Sequence, residues 1–223
     1  MVFSYDEKSG ADILKIEGDT FRHLFLARRS KDNESFLFCN LQEPALYEYK
    51  AINVSKKDAT LELITKHEKP QKTKKTALGW CVVDPKTIEK TLPMLNEIGI
   101  DTLYFVYADR SQKNFKIDMP RLQKILINSC CQCGRMNLMS MEVFKNVREF
   151  VDKAGDFCVF DFGGALPSSD DKDALFLIGP EGGFSDGERE LLKQKAKKIL
   201  SFDTPNILRS ETAVLSAASL GVI

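Results

Sequence analysis

The chain has 223 residues, 43% of them hydrophobic, and its 32 basic and 32 acidic side chains leave a formal net charge of zero. That length can bury a substantial core in one or two domains, and the charge balance excludes indiscriminate binding to nucleic acid, so any such contact must come from local clustering. No apolar run approaches the roughly eighteen residues of a membrane span, and the charged start (Asp6, Glu7, Lys8) is unlike a signal peptide, so a cytoplasmic protein is expected.

Residues 1–70 read as β-rich. Ala11–Ile16, Ser35–Asn40, Ala45–Val54 and Thr60–Ile64 are short apolar or alternating runs separated by polar turns, a pattern that suits a small barrel. His23, in Phe21-Arg22-His23-Leu24, fits capping or packing and is assigned no chemistry. Between Lys50 and Lys75 eight lysines face three acids (Asp58, Glu62, Glu68), and the densest part, Lys66–Lys75, reads as a linker between domains at 1–70 and 71–223. On composition alone such a run is a solvated connector. Arg22, Arg28 and Arg29 lie upstream of it.

From Lys75 onward strands alternate with helices. Ala77–Val83, Thr102–Tyr107, Asp156–Phe162, Ala174–Ile178 and Ile199–Phe202 are apolar runs of strand length, while Ile88–Ile98, Pro120–Cys133, Asp186–Lys197 and Thr212–Leu220 have helical spacing or composition. This order predicts an α/β domain with a mainly parallel sheet covered on both faces. Pro93 falls inside the first of these helices and predicts a kink or a late start. Cys130-Cys131-Gln132-Cys133 has a C-x-x-C spacing, but Cys39, Cys81 and Cys158 are scattered singly and only two histidines exist, so packing is favoured over a metal or a disulfide. Leu122, Leu126, Cys130 and Cys133 share the predicted apolar face of that helix.

The most informative stretch runs from Leu177 to Glu188. An apolar strand ends in Gly179-Pro180-Glu181-Gly182-Gly183-Phe184, and Ser185 with Glu188 forms a capping box that starts a helix. Strand-to-loop-to-helix junctions are where α/β proteins build ligand sites, and the glycines allow close backbone approach. A second segment follows, Asn206-Ile207-Leu208-Arg209-Ser210-Glu211-Thr212-Ala213. The glycine spacing is not G-x-G-x-x-G, no G-x-x-x-x-G-K-[ST] run exists, and neither His23 nor His67 sits in a motif for serine hydrolysis.

Together these two segments resemble the RsmE family of 16S ribosomal RNA uracil-N3 methyltransferases, in the SPOUT superfamily. Lesser matches are Gln132-Cys133-Gly134-Arg135, Glu97-Ile98-Gly99-Ile100, Asp109-Arg110-Ser111, and His23-Leu24 with Arg29, so the resemblance runs from about residue 20 onward. It departs at Asn33-Glu34, Asn128, Cys131 and Met139, and at Pro93 within its helix, which touch the periphery of the inferred site. The resemblance implies a PUA-like RNA-binding barrel followed by a knotted methyltransferase domain, S-adenosylmethionine as cofactor, 16S rRNA of the small subunit as substrate, a homodimer, and no metal.

It further implies a cofactor site of Ile178, Gly179, Pro180, Glu181, Gly182, Gly183, Ile207, Leu208, Ser210, Thr212 and Ala213, with Leu208 against the adenine. Methyl transfer to a weakly acidic N3 needs positioning plus removal of a proton or stabilisation of charge on the uracil oxygens. Arg209, a permanently charged fork of donors, is the expected uracil contact. Glu181 or Glu211 balances the sulfonium or acts as base; for Glu211 the bland alternative is a favourable charge in the first turn of the last helix. Arg22, Arg29, Lys72, Lys74, Lys75, Arg110 and Arg135 are the expected RNA contacts, with Arg135 equally suited to a dimer contact or to a helix C-terminus. The competing reading is a non-catalytic RNA-binding or ribosome-assembly factor on the same fold.

Overall fold

The computed structural model describes residues 1–28, 34–70, 75–112, 114–171 and 174–220. The chain forms two compact units: Met1–Thr73 with Ile127–Leu138, and Lys74–Leu126 with Met139–Ile223.

In the first unit β1 (Ser4–Tyr5), β2 (Ile13–Glu17), β3 (Ser35–Cys39), β4 (Ala45–Val54) and β5 (Asp58–Glu68) form one sheet in the order β1-β3-β4-β5-β2. Only β1 and β3 run parallel. In β2, Leu14 and Ile16 point inward while Ile13, Lys15 and Glu17 face outward, the alternation of a half-buried strand. Between β2 and β3 the chain makes a helical turn, α1 (Gly18–Phe21), that continues as a π-helix over Arg22–Ala27. Phe21 and Leu24 are buried there with Phe36, Phe38, Tyr47 and Tyr49.

The second unit is a six-stranded sheet, every pair parallel, ordered β11-β9-β10-β6-β7-β8. Its strands are β6 (Ala77–Cys81), β7 (Thr102–Val106), β8 (Ser140–Phe144), β9 (Phe157–Ala165), β10 (Leu175–Ile178) and β11 (Lys198–Leu200). They alternate with α2 (Pro85–Ile98), α3 (Met119–Cys133), α4 (Val147–Lys153), α5 (Asp186–Lys195) and α6 (Ser210–Leu220). Leu78, Trp80, Cys81, Leu103, Phe105, Val159, Phe176 and Leu177 are buried almost completely, as expected where helices cover both faces of a parallel sheet.

Several elements depart from the sequence expectations: β5 runs on through Lys66–Glu68, the start of the expected linker, and α6 begins at Ser210, two residues before the expected Thr212. α2 starts at Pro85, earlier than expected, because the Asp84 carboxylate accepts the Lys86 N–H at 2.7 Å and proline is suited to a first helical position. Pro93 lies inside the helix, so a late start is excluded. In α3, Leu122, Leu126 and Cys130 are buried as expected, but Cys133, the last helical residue before Gly134 turns the chain (φ 84°), is exposed. Cys130 and Cys131 pack with Phe3, Cys39 and Leu46, and burial pushes the Cys131 thiol up to about 11.

One buried charge fixes the edge of the sheet. Asp171, 4% exposed, accepts from Lys198 Nζ at 2.6 Å and from the Ser168 N–H and Oγ at 2.9 and 2.8 Å. The lysine first, then the serine, hold its carboxyl down to about 2, against an ordinary value of 3.8. A lowered carboxylate stabilises the fold above its unfolded pKa, and that contribution disappears as pH falls from 3.8 toward about 2. Thermal unfolding across that window should show a falling Tm. Asp171→Asn should melt lower at pH 7 and lose less of its Tm between pH 4 and 2 than the unaltered chain, roughly the range where the carboxylate titrates.

Candidate functional site

The cleft lies where the carboxyl ends of β9, β10 and β11 meet the two segments singled out in the sequence. Its volume is about 340 Å³, within the range of small-molecule sites. Ile178, Gly179, Pro180, Glu181 and Gly183 line one side, Ile207, Leu208, Ser210 and Ala213 another, and Phe160–Gly163 with Ser201, Phe202, Thr204 and Asn206 complete it.

The wall from β9 is built by a local mispairing. Val159 pairs with Ile199, yet the next residue of β11, Leu200, pairs with Ala165, so residues 160–164 bulge out between consecutive partners. Gly164 makes this possible: a Cβ there would lie 2.5 Å from the Leu200 backbone carbon. The bulge projects Asp161, Phe162 and Gly163 into the wall, while Phe160 stacks on Phe202 with ring centroids 4.2 Å apart. Asp161 accepts from Arg189 of α5 at both oxygens, 2.8 Å from Nε and 3.3 Å from Nη2.

The opposite wall is locked from beneath. Trp80, fully buried on β6, donates its indole N–H to Ser210 Oγ at 2.8 Å, and Ser210 donates onward to the Gly179 carbonyl at 2.9 Å. A Cβ on Gly179 would approach the Phe184 ring to 3.1 Å, so any larger residue would require that ring to shift by a few tenths of an ångström. The expected capping box is present: the Glu188 N–H donates to Ser185 Oγ at 3.3 Å, and the Ser185 N–H donates to Glu188 Oε2 at 2.8 Å.

An RNA methyltransferase domain model matches residues 69–221. Over its full length the chain is 40% identical to the ribosomal RNA small subunit methyltransferase E of Helicobacter pylori (strain 26695), also covered completely. The chain belongs to this family. The Aquifex aeolicus member is 28% identical, with 98% of this chain and 97% of that one aligned. A crystal structure of the Neisseria gonorrhoeae enzyme, bound to S-adenosyl methionine, superposes with a TM-score of 0.82 at 20% identity, covering 98% of this chain and 95% of that one.

Within this family member the structure gathers most, not all, of the residues expected at the cofactor site. Gly182 and Thr212 are exposed and do not line the cleft; Gly182 instead presents its carbonyl to Arg110. Ser210 lines the cleft, but its hydroxyl proton is committed to Gly179. Arg209 is exposed between the cleft-lining Leu208 and Ser210. Glu181 is exposed at the cleft, whereas Glu211 lies outside the lining and its Oε2 is buried without a hydrogen-bond partner among the described residues.

Four of the expected RNA contacts, Arg22, Lys75, Arg110 and Arg135, fall among the described residues. Arg22 is exposed and paired with Asp19, Lys75 is exposed, Arg135 donates from Nε to the Asn137 carbonyl at 3.0 Å, and Arg110 turns toward the glycine loop. Arg29, Lys72 and Lys74, like Asn33, lie outside the described residues. Phe160–Gly163, Ser201, Phe202 and Thr204 line the cleft without being singled out by the sequence, and Asn206 belongs to the second segment but carries no expected role; the Gly163-Gly164 pair at the end of an apolar run is the available signal for a bulge.

Removing the Ser210 hydroxyl strands a buried indole N–H and a loop carbonyl together. Ser210→Ala should cost about 1–3 kcal/mol in denaturant unfolding. It should also shift the emission of Trp80, the single tryptophan, because the indole loses its only described acceptor.

Proposed function

We infer that this chain methylates N3 of a uridine in 16S rRNA of the small ribosomal subunit, using S-adenosylmethionine. The observation that carries the reading is the meeting of the glycine loop and the Ile207–Ala213 segment in one cleft at the carboxyl ends of parallel strands, where α/β sheets bind ligands. The family membership supports the same reaction and not the non-catalytic alternative.

The residues present fit the cofactor. Ile178, Phe160, Phe202 and Leu208 supply apolar surface for an adenine, and the loop from Gly179 to Gly183 supplies backbone donors and acceptors for ribose and amino-acid groups. Bound there, S-adenosylmethionine supplies an electrophilic methyl group. Glu181 sets a negative charge at the cleft, suited to a cationic ligand. Arg209 reaches outward from the rim, where its guanidinium stabilises charge developing on a uracil oxygen. Glu181 or Glu211 accepts the N3 proton: Glu181 is exposed in the cleft lining, while Glu211 lies outside that lining and has a buried Oε2 without a partner among the described residues.

The wider architecture follows the same reading. Residues 1–70 act as a PUA-like barrel that holds RNA, residues 71–223 as a SPOUT domain with a trefoil knot, and the protein works in the cytoplasm as a homodimer. Phe162, Leu166 and Ile207, exposed at 71%, 56% and 81%, support a partner surface beside the cleft.

Incubation with labelled S-adenosylmethionine and small subunits lacking the modification, followed by nucleoside mass spectrometry, should yield 3-methyluridine and a reverse-transcription stop at the modified base. Absence of both transfer and cofactor binding would return the chain to the RNA-binding class. Arg209→Ala should keep cofactor affinity within about twofold while lowering transfer on the order of a hundredfold or more; near-normal turnover would remove Arg209 from the reaction.

A further inference from the structure

The loop that follows β7, Asp109-Arg110-Ser111, is joined to the glycine loop at several atoms. Arg110 is exposed, yet its Nη1 donates to the Gly182 carbonyl at 2.8 Å. Its aliphatic stem lies along the loop, for a Cβ on Gly182 would sit 3.4 Å from Arg110 Cβ and 3.5 Å from Cδ. Asp109 contributes from both ends: its N–H donates to Glu188 Oε1 at 2.8 Å, and its Oδ2 accepts from Ser185 Oγ at 2.6 Å. Glu188 is 8% exposed and bridges the two loops, since its other oxygen takes the Ser185 N–H. Ser111, 6% exposed, anchors the base of the turn, with its N–H donating to the Ala108 carbonyl at 2.9 Å and its Oγ accepting the Ala108 N–H at 3.2 Å.

A peptide unit is planar, with its C=O and N–H pointing in opposite directions. Fixing the Gly182 carbonyl on Arg110 therefore fixes the Gly183 N–H, which donates to the Pro180 carbonyl at 2.9 Å. Glycine on both sides of this peptide gives it little intrinsic preference, and Gly183, with φ 67°, lines the cleft. The orientation of this peptide is thus held at its N–H end from within the loop and at its C=O end from outside it, by a charged donor on another loop.

We propose that Arg110 is a positioning residue for the cofactor, locking the Gly182–Gly183 peptide with the help of Asp109 and Glu188, and is not primarily an RNA contact. The inference rests on the cofactor-cleft reading above. Arg110 then acts on cofactor affinity in the absence of any RNA. Its loss raises the KM for cofactor and leaves kcat nearly intact, the pattern of a removed binding contribution.

The test uses the full chain and S-adenosylhomocysteine as probe. In calorimetry without RNA, Arg110→Ala should weaken binding about tenfold, the size of one charge-assisted hydrogen bond. In the ligand-free protein the same variant should exchange the Gly183 amide faster, with thermal unfolding unchanged to within about 2 °C, a shift too small for a lost core contact. Arg110→Lys, which keeps the charge but not the guanidinium fork, should restore only part of the affinity. If the unaltered chain does not bind the probe, the cofactor-cleft reading falls. If it binds and Arg110→Ala binds equally well, whatever the exchange rate, the positioning role is overturned. A variant that exchanges globally faster and melts far lower would mark Arg110 as a stability residue and also overturn it.

Discussion

The hydrogen-bond relay from Trp80 through Ser210 to Gly179 is the constraint on which the candidate site depends. It ties three distant parts of the sequence to one point: the central strand β6, the first residue of α6, and the exit of β10. The relay is buried, so a broken link would leave a polar group without water to replace it, and that asymmetry holds the three parts together more firmly than the modest net value of each bond. With Gly179 fixed, the glycine loop has a defined start; with Ser185 and Glu188 capping α5, it has a defined end. Between these two fixed points Gly179, Gly182 and Gly183 leave the backbone uncovered, and Gly179 and Gly183 present it to the cleft.

The other wall follows a different logic. A regular β9 would keep hydrogen bonding to β11 and close the gap above Phe160. The bulge at residues 160–164 interrupts that pairing, and the interruption is tolerated because Ala165 resumes it, with Ser201 N–H and Oγ donating to the Ala165 and Gly164 carbonyls at 2.8 and 2.9 Å. Asp161, carried outward by the bulge, is neutralised by Arg189 from the helix that the glycine loop starts. The two walls are thus linked by an ion pair, and the cleft's apolar floor of Phe160 and Phe202 is kept next to a charge-balanced rim.

What could be read from the sequence was local. The capping box, the strand before the glycine loop and the helix after Arg209 depend on neighbours a few residues away, and all three are realised where expected. Features set by distant partners were not legible. The bulge in β9 is decided by Leu200 on another strand, and the second half of α3 joins the first unit because Cys130 and Cys131 meet Phe3, Cys39 and Leu46. Helical spacing announced an apolar face there without saying what would cover it. β8 and α4 went unread for another reason: β8 is an edge strand of mixed composition, Ser140-Met141-Glu142-Val143-Phe144, half open to solvent, and α4 spans only seven residues, too few for a period to emerge.

The same distinction explains why motif membership finds a place without fixing what each residue does there. Gly182, Arg110 and Ser210 all fall in matched segments, yet their polar atoms are engaged with one another or with the scaffold: Arg110 with Gly182, Ser210 with Trp80 and Gly179. A loop containing Gly179, Gly182 and Gly183 has little of its own to hold its shape beyond the Gly183-to-Pro180 hydrogen bond, so bonds from Ser210 and Arg110 add to it. Arg209 is exposed between two cleft-lining residues, and Glu211, two residues on in the first turn of α6, has a buried oxygen without a hydrogen-bond partner among the described residues. It is to such groups, with Glu181 exposed in the lining, that the proposed chemistry assigns substrate contact, next to a cleft whose shape is set elsewhere.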